Sequence, residues 1–183
     1  MEIPTLETRR LVLRPWSPQD AEAWFSILRE EGILRYFPDP SPPRRDKADR
    51  YIAHHLAHWE AHGYGHWAVV TPTDHRVVGW SGLEYLPELR ETEVAYLLSK
   101  SVWGHGFASE AAQAAIHFGF EAAGLPTIIG LVHQDNIASI SVLEKCGLHL
   151  ADRVRMWGMD MCRYRIHRPS PGADASPERA GLR

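Results

Sequence analysis

The sequence has few of the features that mark secreted, membrane-spanning or nucleic-acid-binding proteins. Its 183 residues include two cysteines, too few for a disulfide-stapled scaffold. Polar residues interrupt every apolar run, so no transmembrane helix is predicted, and the charged start of the chain does not fit a signal peptide. The formal net charge of −3 argues against a polybasic protein that binds nucleic acid or membrane surfaces. We therefore expect a reduced, cytoplasmic, globular protein.

The length and the 44% hydrophobic content suit one domain with a substantial core. Residues 169–183 are polar and rich in proline, which predicts a disordered tail. The predicted domain is therefore 1–168.

Hydrophobic periodicity predicts four helices and seven strands within this domain. The strands are expected at 10–14, 67–70, 77–86, 93–98 and 127–132, followed by a hairpin that turns near Gly158. The first helix is expected to start at Ser17, and the other three are expected to span 45–62, 108–123 and 137–146. The order lacks regular βαβ alternation, so the pattern indicates an α+β or mixed α/β fold.

A glycine turn, Trp103-Gly104-His105-Gly106-Phe107-Ala108, lies between a predicted strand and the most apolar helix. Free backbone N–H groups at such a helix start suit a pyrophosphate. The turn fits neither a P-loop nor a dinucleotide fingerprint, because it lacks the Gly-Lys-Ser/Thr ending and has Ser109 where a third glycine would stand. Taken alone, this pattern more often forms a tight turn that binds no ligand.

A second informative segment runs from Asn136 to Gly147. Asn136 is a typical N-cap and Gly147 a typical residue after a helix end. By itself the segment predicts a capped amphipathic helix, with the Cys146 thiol packed rather than nucleophilic.

Three histidines, His54, His58 and His62, recur every four residues along the second predicted helix, roughly opposite its apolar stripe Ile52, Leu56 and Trp59. The spacing could bind zinc, but no Cys or Asp partner is evident, and we expect no metal. The alternatives are a solvated helix face, which we favour, and a wall of a substrate groove.

Taken together and in order, these segments resemble the GNAT superfamily of acyl-CoA-dependent N-acyltransferases, and within it the RimJ/RimL type that acetylates protein N-termini. The resemblance covers about residues 5–168. The matching stretches are Thr8–Pro15, Gly79–Leu83, Glu93–Leu98, Trp103–Ala111, Asn136–Ser139 and Leu143–Leu148.

The resemblance implies a mostly antiparallel, twisted sheet whose fourth and fifth strands splay apart, flanked by about four helices. It implies that acetyl-CoA is the co-substrate and lies in the gap. The backbone of Tyr96, Leu97 and Leu98 would pair with the pantetheine, and the segment from Trp103 through Gly104, His105, Gly106, Phe107 and Ala108 would hold the pyrophosphate. Asn136 and Ser139 would face the pantetheine and the sulfur. Ser101 departs from the family pattern, which often has Gln or Arg there.

The implied reaction is direct attack of an amine on the thioester. Ser139 is the expected group that stabilises the leaving thiolate, ahead of Tyr96 and His133; its alternative role is local backbone hydrogen bonding. Glu93 and Glu84 are candidate bases acting through water. For each, the alternative is an exposed strand carboxylate paired with arginine.

The acceptor is either a protein or peptide N-terminus or a small amine, and the sequence does not separate the two. The alternative from another class is a non-catalytic acyl-CoA-binding regulatory module. A homodimer through the terminal strands or the exposed face of the hairpin is plausible for this fold.

Overall fold

The computed structural model describes residues 2–41 and 43–169. Beyond Pro169, the predicted tail lies outside the described residues. The eight strands are β1 Leu6–Glu7, β2 Val12–Arg14, β3 His66–Thr71, β4 Arg76–Leu86, β5 Glu91–Leu98, β6 Thr127–His133, β7 His149–Met156 and β8 Met159–His167. The α-helices are α1 Ala21–Leu28, α2 Arg45–His62, α3 Phe107–Glu121 and α4 Ile137–Lys145. In the described part of the chain, no helix combines the length and apolarity needed to cross a membrane.

One sheet contains all eight strands, in the order β1-β2-β3-β4-β5-β6-β8-β7. Neighbouring strands are antiparallel except for β5 and β6, which run parallel. The expectation of a mixed α/β, mostly antiparallel sheet with four helices is confirmed. The seven-strand prediction missed β1, and the first predicted strand, 10–14, is shortened to Val12–Arg14.

Alternation along the central strands divides the buried side chains between the two faces of the sheet. On one face, Trp67 and Leu83 pack with the buried stripe of α3. On the other face, Val70 and Trp80 pack with α1 and with Ile52 of α2. Each central strand is therefore apolar on both sides, as a covered sheet requires.

The entry into α1 is fixed by a capping box. The Asp20 carboxylate accepts the Ser17 N–H at 2.8 Å, and Pro18–Asp20 form a 3-10 turn before the α-helix starts at Ala21. The same carboxylate binds both terminal nitrogens of Arg14 at 2.7 Å. This bidentate pair ties α1 to β2.

Gly79 is a place where the fold leaves no room for a side chain. Its φ is +146°, and a Cβ there would lie 2.1 Å from the Leu97 carbonyl oxygen and 2.7 Å from the Leu98 Cα. The glycine sits where the β3–β4 register shifts, so β4 can approach β5 closely.

Replacing Gly79 with alanine is therefore expected to lower the free energy of unfolding by at least about 3 kcal/mol. Gly158→Ala is the matched control, because Gly158 also has positive φ (+78°) but has open space around the Cβ position. Its cost should be about 1 kcal/mol. Urea unfolding of both variants checks this, and equal losses would contradict the close-approach argument.

Candidate active site

The strands β5 and β6 diverge after a short shared segment. Their register pairs Glu93 with Ile129, and two residues further along β6 the Leu131 N–H donates to the Glu93 carboxylate at 2.9 Å. In a regular parallel pair that N–H would donate to a backbone carbonyl of β5. A side chain thus replaces a backbone partner where the strands separate, and a gap opens beyond it.

The peptide groups of β5 that face the gap follow from the register with β4. The Ser99 N–H donates to the Val78 carbonyl at 2.8 Å, and Leu97 lies opposite Trp80. Because peptide groups alternate in direction along a strand, Leu97 also turns its backbone toward β4. The N–H groups of Tyr96 and Leu98 therefore point toward β6 and the gap.

The glycine turn lies at one end of this gap. Gly104 and Gly106 have φ of +78° and +77°, and Gly106 is the N-cap of α3 without a side-chain cap. The first intrahelical bond runs from the Glu110 N–H to the Gly106 carbonyl. The first-turn N–H groups, including those of Phe107 and Ala108, consequently have no intrahelical acceptor and suit an anion. The Trp103 indole donates to the Leu98 carbonyl at 2.7 Å and braces the turn against β5.

A clamp from the start of the chain holds this turn. The Arg10 backbone N–H and Nε donate to the Glu110 carboxylate at 2.8 and 2.6 Å, and the Thr8 hydroxyl donates to it at 2.7 Å. One terminal nitrogen of Arg10 also donates to the His105 carbonyl at 2.8 Å. Sequence reasoning missed this role for Arg10, because its partners lie about 100 residues away.

On the other side of the gap lies a cavity of about 270 Å³. It is lined by residues from the α1–α2 connection, α2, β3, β4, β5, β6, α4 and the β7–β8 hairpin. Four of the predicted site residues meet here: Glu93, Tyr96, Asn136 and Ser139. Glu84 and His133 also line it.

Two hydroxyl groups form a contact at the cavity wall. The Tyr96 hydroxyl lies 2.9 Å from Ser139 Oγ and 3.1 Å from the Ser139 carbonyl oxygen. Burial raises the pKa of Tyr96 well above its ordinary value, so its hydroxyl keeps its proton. Asn136 accepts the Ser139 N–H at 3.2 Å as the N-cap of α4, which fixes the serine backbone.

Two carboxyl groups face the same cavity from neighbouring strands. Glu84 and Glu93 are directly opposite each other in the β4–β5 register, which places their Cβ atoms about 5 Å apart. Glu93 is 7% exposed, whereas the Glu84 side chain is 28% exposed. Burial raises the pKa of Glu93 to about 8; the Leu131 N–H opposes this rise, and the Glu84 charge adds to it. The exposed, arginine-paired alternative is therefore wrong for Glu93.

The three histidines of α2 do not form one solvated face, because only His54 and His62 are exposed. His58 is buried, and its Nε2 accepts the Tyr85 N–H at 3.1 Å, so its Nδ1 carries the proton and donates to the Tyr64 carbonyl at 2.8 Å. The solvated-face expectation is thus wrong for His58, whose two nitrogens are both occupied. His54 is exposed and lies 3.2 Å from Glu84.

The helix α2 does line the cavity, through residues that the sequence did not single out. Tyr51 and His55, one turn apart, are both on its wall, together with His66 of β3. The Tyr51 hydroxyl lies 2.8 Å from His66 Nδ1. The i, i+4 spacing of Tyr51 and His55 was the available sequence signal. The histidine pattern of His54, His58 and His62 instead indicated a different set of positions on the helix.

Cys146 is packed, as predicted. Its side chain is buried, and burial raises its pKa to about 12, which keeps it as an unreactive thiol.

Comparison with known proteins agrees with this architecture. Residues 10–149 match the family model described as an acetyltransferase (GNAT) domain. An uncharacterized N-acetyltransferase of Bacillus subtilis, YoaA, is 30% identical over 155 residues, which are 84% of this chain and 88% of that protein.

Solved structures agree as well. An acetyltransferase from Agrobacterium tumefaciens superposes with a TM-score of 0.79 at 30% identity, over 91% of this chain and 96% of that one. A RimL ribosomal L7/L12 α-N-protein acetyltransferase in complex with coenzyme A shares the fold at 16% identity, with a TM-score of 0.75, over 90% of this chain and 97% of that one. The splayed strands, the glycine turn and the matched family model lead to one conclusion: this chain belongs to the GNAT family of N-acetyltransferases.

Proposed function

We propose that this protein transfers the acetyl group of acetyl-CoA to a primary amine by direct attack in a ternary complex. The observation that carries the proposal is the gap between β5 and β6, which has backbone donors on one side and an acid-lined cavity on the other. The RimL neighbour, which shares this fold, was solved with coenzyme A.

The co-substrate would lie along the gap and end at the glycine turn. The backbone of Tyr96 and Leu98 would pair with the pantetheine as an added strand, while the backbone of Leu97 faces β4 and keeps β5 in the sheet. The amides from Gly104 to Ala108, with His105 and Phe107 between them, would hold the pyrophosphate, and Trp103 and Arg10 would keep the turn in shape. Asn136 and Ser139 would border the pantetheine near the sulfur.

The two faces of the sheet would serve different substrates. Glu84 and Glu93 lie on the face covered by α1 and α2, whereas Tyr96 belongs to the core on the α3 face. An amine held by the carboxyl groups would therefore meet the thioester where the strands separate.

The amine must lose a proton before it attacks. Holding an alkylamine with pKa near 10.4 in its neutral form at pH 7 costs about 4–5 kcal/mol, whereas an α-amine costs about 1 kcal/mol. Glu93, with a pKa of about 8, is matched to accept such a proton near neutral pH. Glu84, half-exposed and adjacent, would pass it toward solvent through His54.

The chemical step forms a C–N bond and breaks the C–S bond. The Leu98 or Tyr96 N–H would stabilise the developing oxyanion. Ser139, in contact with the Tyr96 hydroxyl, would donate a hydrogen bond that stabilises the leaving thiolate, and Tyr96 would orient Ser139 by donating a hydrogen bond to it. The thiolate would take up its proton from solvent as coenzyme A leaves. The alternative is a non-catalytic acyl-CoA-binding module. It would not require the carboxyl pair Glu84–Glu93 and the hydroxyl pair Tyr96–Ser139 in one cavity.

Thiol release from acetyl-CoA tests the proposed function. With a mixed pool of small amines and short peptides, we expect release of coenzyme A at a rate at least ten times that without acceptor. Calorimetry with coenzyme A is the companion measurement. Binding of coenzyme A without thiol release for any acceptor would favour the non-catalytic module.

Ser139→Ala is expected to lower kcat by 10- to 100-fold while changing the Kd for coenzyme A less than threefold, because the hydroxyl acts on the leaving sulfur. Tyr96→Phe should lower kcat by a smaller factor, since Ser139 remains. Ser141→Ala, on the same helix but away from the cavity lining, is the matched control. Unchanged turnover in Ser139→Ala would remove Ser139 from the mechanism.

Glu93→Gln tests the buried carboxyl through stability. The folded-state pKa of about 8 lies above the ordinary value of 4.5, so the wild-type free energy of unfolding should fall as pH rises from 4.5 to 8. The slope contributed approaches about 1.4 kcal/mol per pH unit. The glutamine keeps an acceptor for the Leu131 N–H and removes the titration.

Urea unfolding at pH 5, 6.5 and 8 measures this difference. Glu93→Gln should gain stability relative to wild type as the pH rises, and the exposed Glu60→Gln should follow wild type. Parallel pH curves for wild type and Glu93→Gln would show that Glu93 ionises normally.

A further inference from the structure

The cavity wall beside Glu84 is aromatic, with His66 Nε2 at 3.9 Å from a Glu84 carboxylate oxygen. The His66 ring lies between the rings of His55 and Trp80, with centroid distances of 3.9 and 4.3 Å and interplanar angles of 20° and 12°. Tyr51 packs against the same stack, with its centroid 4.3 Å from His55. Because the rings are stacked face to face, they form a rigid aromatic block at the edge of the cavity.

The stack carries no charge near neutral pH. Burial lowers the pKa of His55 to about 2 and that of His66 well below its ordinary value, and the neighbouring histidines add to both effects. Both side chains are nearly inaccessible to solvent. The wall is therefore an uncharged aromatic surface and not a cationic one.

Charge in the cavity is of one sign. Among the described residues that line it, Glu84 and Glu93 are the acidic ones, and no lysine or arginine is included. An acceptor that carries a carboxylate or a phosphate would bury that group beside two carboxyl groups without a cationic partner, which is strongly unfavourable.

The α1–α2 connection closes the cavity on one side. The Tyr36 hydroxyl donates to the Asp135 carbonyl at 3.1 Å, and its ring stacks on His133 at a centroid distance of 5.5 Å. Phe37 and Pro38 follow it along the cavity lining. This strap, residues 36–38, borders a cavity of about 270 Å³, which the acceptor would share with the acetyl end of the co-substrate.

We infer that the acceptor is a compact monoamine with an aromatic or similarly flat apolar body and without an anionic group. The ammonium end would lie at Glu84 and Glu93, and the body would lie against the His55–His66–Trp80 stack. A polyamine fits less well, because the two carboxyl groups are adjacent and its second ammonium would be desolvated without a partner. This inference rests on the proposed function and narrows its acceptor.

The first test compares acceptors that differ in one group. Thiol release is measured at saturating acetyl-CoA with phenethylamine, phenylalanine, spermidine and a short peptide with an N-terminal alanine. Phenethylamine and phenylalanine share a body and differ in the carboxylate. We expect kcat/KM for phenethylamine to exceed the values for the other three by at least about 100-fold.

A charge placed in the lining gives a second test. Trp157 lines the cavity and is 44% exposed. Trp157→Arg would supply the missing partner for a carboxylate, and it should reduce the preference for phenethylamine over phenylalanine by at least about tenfold. Trp157→Leu, which removes the same ring without adding charge, should leave that preference near the wild-type value.

Binding without acetyl-CoA separates the two proposals. If thiol is released with spermidine or the peptide and not with phenethylamine, the acceptor class is wrong and the proposed function stands. If no amine gives thiol release, the proposed function fails, and quenching of tryptophan fluorescence by each amine then decides the acceptor class. Selective binding of phenethylamine would support the inference, and equal or absent binding would overturn it.

Discussion

The hydrogen bond from the Leu131 N–H to the Glu93 carboxyl group is the contact on which the site depends. Two parallel strands that separate leave backbone donors and acceptors without partners, and burying such groups is costly. Glu93 supplies one partner from its side chain at the point of separation. The two strands can therefore separate without leaving this buried N–H unpaired. The Glu93 carboxyl group that accepts it also lies on the cavity wall.

The same contact affects the pKa of Glu93, on which burial and the Leu131 N–H act in opposite directions. A fully buried carboxyl group resists ionisation, but an N–H donor favours the charged form. Their balance leaves the pKa near the physiological range, where a proton can be gained and lost. A structural requirement of the sheet thus produces a titratable group where an amine is expected to arrive.

Much of the fold could be predicted from the sequence because its signals are local. The 45–62 helix matches Arg45–His62, and the glycine turn and the Asn136 cap lie where their residue types predict. β1 was missed because two residues carry no periodicity. His58 was assigned to solvent because helical spacing groups it with His54 and His62, whereas its partners come from Tyr64 and Tyr85.

The site was less predictable, because its geometry comes from register and tertiary contact. Nothing local places Glu84 opposite Glu93 or brings Ser139 to Tyr96, and the Tyr51–His66 pair joins a helix to a strand. The resemblance to known acetyltransferases indicated the residues near the gap. It did not indicate the aromatic wall, which is built by the segments with the weakest motifs.

The Arg10 clamp has a consequence for how a local change reaches a distant loop. The loop that would hold the pyrophosphate is tied to Thr8 and Arg10, about 100 residues earlier in the sequence. Loosening of this early segment and loosening of the loop would therefore occur together. A substitution that disturbs the segment between β1 and β2 would alter the co-substrate end of the gap although no residue of the loop had changed.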